Sequence, residues 1–495
     1  MAMNRREFLK MSATGIATIV VGSHFPFLGV KNAYAATQIL EVTITDALKD
    51  MVTHNSVNTA QCYFWVYKMR ADGVDIPVEC PGPSIYAIQG DTITISITNT
   101  LDEAHSFFIP GVFDSGPIAP GATVGPLSFT VSKSGAHLYY DNLNEPVNRV
   151  MGLHGALVVR PAAAVAGHNF TPYDNPPPHI QNIFDDLGNP AVWPGLKWEE
   201  GDPATNTPSF RQYVWVYHQP SPNLFAAVGN AAPGTGMRIP ANFVKAITRD
   251  PFSPTRANNR PQYFTVNGQS GFFSHFDPAI TPVSRVGEPV VIHILNAGVQ
   301  TVSHHMHCNH FFITMTNRVT DPNPLPNPNP IWVDVYGVKP MDRVDYVFPF
   351  MRPPDLPNAR GIGRPDQPLQ TINGHPVWPP VEEMQTFIPA LGTKALAADG
   401  VTPVELGQRL SPLCYPAHDH LETSQTAQGG NYNMGLITGA YVFGDRNAKG
   451  QGLGDFMNFP MDADFAQMFR NIRGLAGPDL VNKTGLAAGP RTSAG

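Results

Sequence analysis

A chain of 495 residues is too long for one hydrophobic core, and domains of ~100–200 residues divide it into two or three. Charged residues make up only 14% while Pro (50) and Gly (44) are abundant, a balance that excludes a long helical architecture and favours β-sandwiches joined by long loops. The net charge of -7 carries no basic excess, so neither a nucleic-acid partner nor an anionic membrane surface is expected.

The chain opens with Asn4-Arg5-Arg6-Glu7-Phe8-Leu9-Lys10, a mildly apolar run, and Ala33-Tyr34-Ala35. A twin Arg followed by Phe-Leu-Lys and an A-x-A cleavage site resembles a Tat export signal over residues 1–35. Gly15, Gly22 and Pro26 interrupt the apolar run, which argues against an uncleaved anchor. No later stretch approaches ~18 uninterrupted apolar residues. The resemblance implies a periplasmic or otherwise extracytoplasmic protein, delivered by Tat, with no membrane span once the signal is cleaved.

After the signal, short β-branched and aromatic stretches alternate with turn residues: Gln61 to Tyr67, Thr92 to Thr98, Leu127 to Val131, His137 to Tyr140 and Ala156 to Arg160. They predict a first all-β domain over 38–161. A stretch rich in Pro, Asn, Asp and Gly follows over 162–210 and reads as a linker. A second run of strands begins near Gln212-Val216, ends near Tyr441-Phe443, and predicts a second domain over 211–445. Within it, 351–412 has many Pro and Gly residues and no sustained period, the pattern of a large insertion. The tail 446–495 reads as a surface segment with some helix around Asp462 to Asn471. Cys62, Cys80, Cys308 and Cys414 leave two alternatives open, pairing within each domain or buried thiols.

Several segments stand out in chain order: Pro81-Gly82-Pro83 with Gly90-Asp91, Gly135-Ala-His-Leu-Tyr-Tyr140, Gly152-Leu-His-Gly-Ala-Leu-Val-Val159, Val266-Asn267-Gly268, the His-rich run 304–310, and Tyr415-Pro-Ala-His418-Asp-His420 before Met434-Gly435. Together and in this order they resemble the landmarks of the multicopper oxidase superfamily. The resemblance implies two cupredoxin-like Greek-key β-sandwich domains, as in two-domain oxidases and copper nitrite reductases. It also allows a homotrimer.

Carried over residue by residue, the resemblance places the first H-x-H pair on Phe108-Ile109-Pro110 and the second on Tyr140-Asp141-Asn142, so both are lost. His305-Met306-His307 keeps the third. The final H-C-H falls on His418-Asp419-His420 or on Pro416-Ala417-His418, and in either register the thiolate is missing. Val302 stands where a blue-copper His is usual, and neither Cys308 nor Cys414 matches the thiolate position. His305, His307, His418 and His420 are therefore the candidate metal ligands, since residues at i and i+2 share one strand face. Neutral imidazoles suit copper, the family's metal, with one ion expected and zinc or iron also compatible. Asp419 and Glu422 are candidate acceptors for imidazole N–H groups. His310, His154 and His105 are weaker candidates; His105 sits where a blue-copper His is usual, with Asp141 in the matching thiolate slot. His304 and Met434 read as core.

Three functions follow. The first is a copper oxidoreductase acting on a small-molecule substrate, without four-electron dioxygen reduction. The second is a copper-free envelope scaffold like the Tat-exported cell-division homologue, and the third is copper storage or resistance.

Overall fold

The computed structural model describes residues 37–52, 59–186, 210–232, 240–247, 263–277, 280–284, 290–307, 310–323, 325–348, 370–372, 375–377, 394–396, 403–405, 413–425 and 434–442. The stretch read as an export signal at 1–35, most of the expected insertion at 351–412, the expected tail helix and Cys308 lie outside them, as does the side chain of Cys414.

The first ten strands are β1 (Thr37–Val52), β2 (Thr59–Ala71), β3 (Val74–Asp75), β4 (Ile85–Ile88), β5 (Thr92–Asn99), β6 (Phe108–Ile109), β7 (Phe113–Asp114), β8 (Thr123–Thr130), β9 (Gly135–Tyr140) and β10 (His154–Arg160). They form two five-stranded sheets, β3-β2-β1-β5-β8 and β4-β10-β9-β6-β7. In β5 the alternation of residue type becomes an alternation of burial: Ile93, Ile95 and Ile97 are fully buried, while Thr94 and Thr98 meet Ser128 and Thr123 across the ladder on the outer face. The two sheets close through Tyr67 of β2, whose ring meets Phe107 and, from β9, Tyr139 at centroid distances of 5.2 and 5.6 Å. The Gly-Asp landmark is a turn: Gly90 takes φ +98° and the Asp91 carboxylate accepts the Ile88 N–H at 2.8 Å.

Strands β9 and β10 are buried at every position, as for strands covered on both faces. Their second face meets the other half of the chain: Leu138, Tyr140, Ala156 and Val158 form one apolar cluster with Val214, Val216, Leu295 and Ala297.

The second half holds β11 (Arg211–His218), β12 (Thr265–Val266), β13 (Val283–Ser284), β14 (Val290–Asn296), β15 (Val302–Met306), β16 (Phe311–Arg318), β17 (Pro326–Val333), β18 (Val335–Val338) and β19 (Asp342–Phe348). Two short hairpins, β20 (Gln370–Ile372) with β21 (His375–Val377) and β22 (Lys394–Leu396) with β23 (Pro403–Glu405), fall in the insertion, and β24 (Leu413–Asp419) and β25 (Ile437–Val442) close the fold. The sheets run β12-β11-β14-β19-β16-β17 and β13-β25-β24-β15-β18. The chain is all-β, as its turn-punctuated strands predict.

Part of the stretch read as a linker is packed. Phe170, Tyr173, Ile180 and Phe184 are buried, the last two on a helix over Pro178–Asp186. The Tyr173 hydroxyl lies 2.7 Å from Thr314 Oγ1 and donates to Asp345 at 2.8 Å. Its aromatic residues, spaced among prolines, supply the apolar anchors. No helix among the described residues is long and apolar enough to cross a membrane.

Candidate metal centre

Antiparallel pairing of β15 with β24 sets His305 directly opposite His418 and Met306 opposite Ala417. Strand alternation sends Met306 and Ala417 into the core and the flanking imidazoles to the other face. All four expected histidines meet there. His305 lies 5.0 Å from His307, 5.6 Å from His418 and 4.6 Å from His420 between ring centroids. His307 Nε2 and His418 Nε2 are 2.8 Å apart. Donor nitrogens of His305, His418 and His420 lie within 4.8 Å of one another. His305 and His418 are half-buried and His420 is exposed, so the group opens to solvent on one side.

Backbone carbonyls orient the rings. His305 Nδ1 donates to Asp334 O at 3.0 Å, and His418 Nδ1 to Asp419 O at 3.2 Å. Each bond fixes the tautomer and leaves Nε2 as a lone pair facing the group. Burial, with the neighbouring imidazoles adding to it and the bond to Asp419 O opposing it, pushes His418 down to about 4. Burial and the same neighbours lower His307 below its ordinary value. Both rings are thus neutral donors at physiological pH, the form a metal requires.

The expected role of Asp419 needs correction. Its side chain alternates away from His418, is fully buried, and accepts the Ser303 and Leu421 N–H groups at 2.8 and 3.0 Å. Its main-chain oxygen, not its carboxylate, holds an imidazole. Burial raises that carboxyl to about 6, opposed by the hydrogen bonds it accepts. Glu422 is exposed at the start of the short helix Glu422–Gln425. Asp334, whose carbonyl holds His305, escaped sequence reading because a main-chain acceptor leaves no residue-type signal.

Residues 66–164 match the family described as multicopper oxidase. No curated protein matches the chain. Among solved structures, a blue copper oxidase from Nitrosomonas europaea is similar at 16% identity and TM-score 0.45, over 82% of this chain and 86% of that one. A copper nitrite reductase from Nitrosomonas europaea is similar at 13% identity and TM-score 0.41, over 86% and 98%.

Within residues 66–164, the positions where the resemblance places two His pairs face each other as aromatics. Phe108 pairs with Tyr140 across the β6–β9 ladder, edge to face at 5.5 Å. His105 and Asp141 are both fully buried, with His105 Nδ1 2.6 Å from Asp141 Oδ2 and Asn148 Nδ2 donating to the same oxygen at 2.9 Å. A carboxylate therefore receives the imidazole where a thiolate would share a metal with it.

The remaining weaker candidates have neighbours of their own. His310 stacks on Trp332 at 5.5 Å. His154 is buried beside Cys80 and His218. Of the residues expected in the core, His304 is buried against Trp215 and Tyr217, and Met434 is fully buried, as is Val302.

Proposed function

We propose that the protein is an exported copper-binding oxidoreductase that acts on a small molecule. One ion is held by His305, His307, His418 and His420, and the slots that the family uses for a blue-copper centre are not complete. The observation that carries the reading is the convergence of four imidazoles from two paired strands, with two Nε2 atoms 2.8 Å apart. At that distance His307 Nε2–H donates to the His418 lone pair, and the same convergence brings donor nitrogens of His305, His418 and His420 within 4.8 Å of one another, a spacing that one ion can bridge.

A copper ion bound there supplies one-electron redox chemistry and Lewis acidity. The chain's own contribution is orientation. Asp334 O and Asp419 O hold two rings with Nε2 presented. The main-chain N–H of His420 donates to Ser303 O at 2.8 Å, which ties the residue after β24 to β15 and fixes the backbone that carries the fourth ring. Open exposure on the His420 side leaves a face through which a small molecule can approach. Neither expected thiolate position carries sulfur: Ala417 is core and Asp419 is turned to the backbone. Without a complete blue centre, storage of the four electrons that dioxygen reduction needs is not part of the reading.

The test is metal analysis with electron paramagnetic resonance on copper-loaded protein purified without its signal. One Cu(II) per chain with imidazole hyperfine structure is expected, and His305→Ala or His418→Ala abolishes that signal while the strands stay folded. A Cu(II) stoichiometry near zero after reconstitution sinks the enzyme reading and favours the copper-free scaffold; several Cu(II) ions per chain favour storage.

A further inference from the structure

A second group of donors lies away from the four histidines. Cys80 precedes the Pro81-Gly82-Pro83 turn, His154 opens β10, and His218 closes β11, so the first two come from one half of the fold and the third from the other. One ligand atom of each lies within 4.8 Å of the other two. Cys80 is 2% exposed and the two histidines 0%, so no part of the group meets bulk solvent.

The two rings are held by carbonyls of the short helix Val147–Val150. His154 Nδ1 donates to Arg149 O at 2.8 Å and His218 Nε2 donates to Val150 O at 2.8 Å. Each bond leaves the opposite nitrogen as a lone pair, and those two atoms, His154 Nε2 and His218 Nδ1, are buried with no hydrogen-bond partner among the described residues. Leaving two acceptors dry and unmet is unfavourable, and an ion would satisfy both. Their ring centroids are only 4.6 Å apart. Cys80 Sγ donates weakly to Gly152 O at 3.7 Å. Gly152, at φ +124°, allows that close approach of sulfur: a Cβ there would stand 3.1 Å from Cys80 Sγ and 2.4 Å from Trp65 O.

We propose that Cys80 Sγ, His154 Nε2 and His218 Nδ1 form a second metal site, one that takes Cu(I). Three donors at about 2.0–2.3 Å from a shared ion stand roughly 4 Å apart in a trigonal plane, so a triangle within 4.8 Å closes with small side-chain movements. Thiolate with imidazole suits both Cu(I) and Zn(II). Charge decides against a divalent ion. The nearby cations already have partners: Lys49, which donates to Cys80 O at 2.6 Å, pairs with Glu79, and the buried Arg149 pairs with Glu145. Among the described residues, the thiolate is therefore the negative charge left to offset an ion. Cu(I) enters this dry pocket as a neutral unit, whereas Zn(II) leaves a buried net charge. Binding displaces the thiol proton to solvent and changes no oxidation state.

The site is independent of the four-histidine group, and the experiment separates them. The parent protein is His305→Ala/His418→Ala, titrated anaerobically with Cu(I) against a chromophoric Cu(I) chelator, with and without Cys80→Ser. The parent is expected to hold one tightly bound Cu(I) and to show sulfur scattering at the copper X-ray absorption edge. Adding Cys80→Ser removes that equivalent and the contribution of that sulfur. His218→Gln, which can still donate to Val150 O but has no ring lone pair, weakens Cu(I) binding at least tenfold with the thiol intact, so a folding defect in the serine variant leaves the test decisive. Equal Cu(I) uptake with and without Cys80, or preferential uptake of Zn(II) from an equimolar mixture, overturns the assignment.

Discussion

His418 and Asp419 are neighbours with opposite surroundings, because successive side chains of a strand point to opposite faces. The imidazole joins the open four-histidine group while the carboxylate is buried and accepts two main-chain N–H groups, from Ser303 and Leu421. Asp419→Ala orphans both donors, and the expected cost is about 2–4 kcal/mol in urea unfolding, together with loss of the register that aligns His305 with His418. His304 gives the reverse case. Both of its ring nitrogens are buried without a hydrogen-bond partner among the described residues, and burial holds it neutral by pushing it down to about 3. His304→Phe replaces a dry polar ring with an apolar one of similar shape, so a gain of about 1 kcal/mol is expected from the same measurement; a loss above that size would mean that the imidazole has an unrecognised partner.

At the scale of strands and turns, the sequence was informative where a signal is local. The i, i+2 spacing of His305 and His307, and of His418 and His420, predicts two pairs on shared faces, and the alternation in Thr92 to Thr98 predicts the inner face of β5. Legibility ends where function depends on meeting. Cys80, His154 and His218 are single residues on three separate segments, and only the packing of one half of the chain on the other makes them a group. The helical turn Val147–Val150, whose carbonyls aim two of those rings, is too short to leave a periodic trace. Just beyond that turn, Gly152 is more exacting: Gly152→Ala places a Cβ at φ +124° and against Trp65 O, and is expected to cost about 1–3 kcal/mol, read as a lower midpoint in thermal unfolding.

Across the whole molecule, the contact between the two halves combines the apolar cluster around Leu138, Val158, Val216 and Leu295 with a polar patch at Arg343. That guanidinium donates to Ala136 O at 3.1 Å and lies 3.4 Å from His137 Nδ1. Burial first, and Arg343 second, push His137 down to about 4 from 6.5; Asp345 and a hydrogen bond to the Lys133 carbonyl oppose the shift, while His293 adds to it. Because the folded value lies below the unfolded one, the stabilising contribution is complete above pH 6.5 and is lost progressively as pH falls towards 4. The loss is on the order of 3 kcal/mol, at about 1.36 kcal/mol per pKa unit. Thermal midpoints measured across that window are expected to decline with acid, and to decline less in His137→Gln; parallel profiles for the two proteins would contradict the assignment.

His218 reaches across that contact to the pocket of Cys80 and His154. An ion held by all three would make separation of the halves require the breaking of a coordination bond, so the copper-loaded chain should melt in one cooperative transition and the chelated chain in two. Limited proteolysis would then cut the stripped protein between its halves and spare the loaded one.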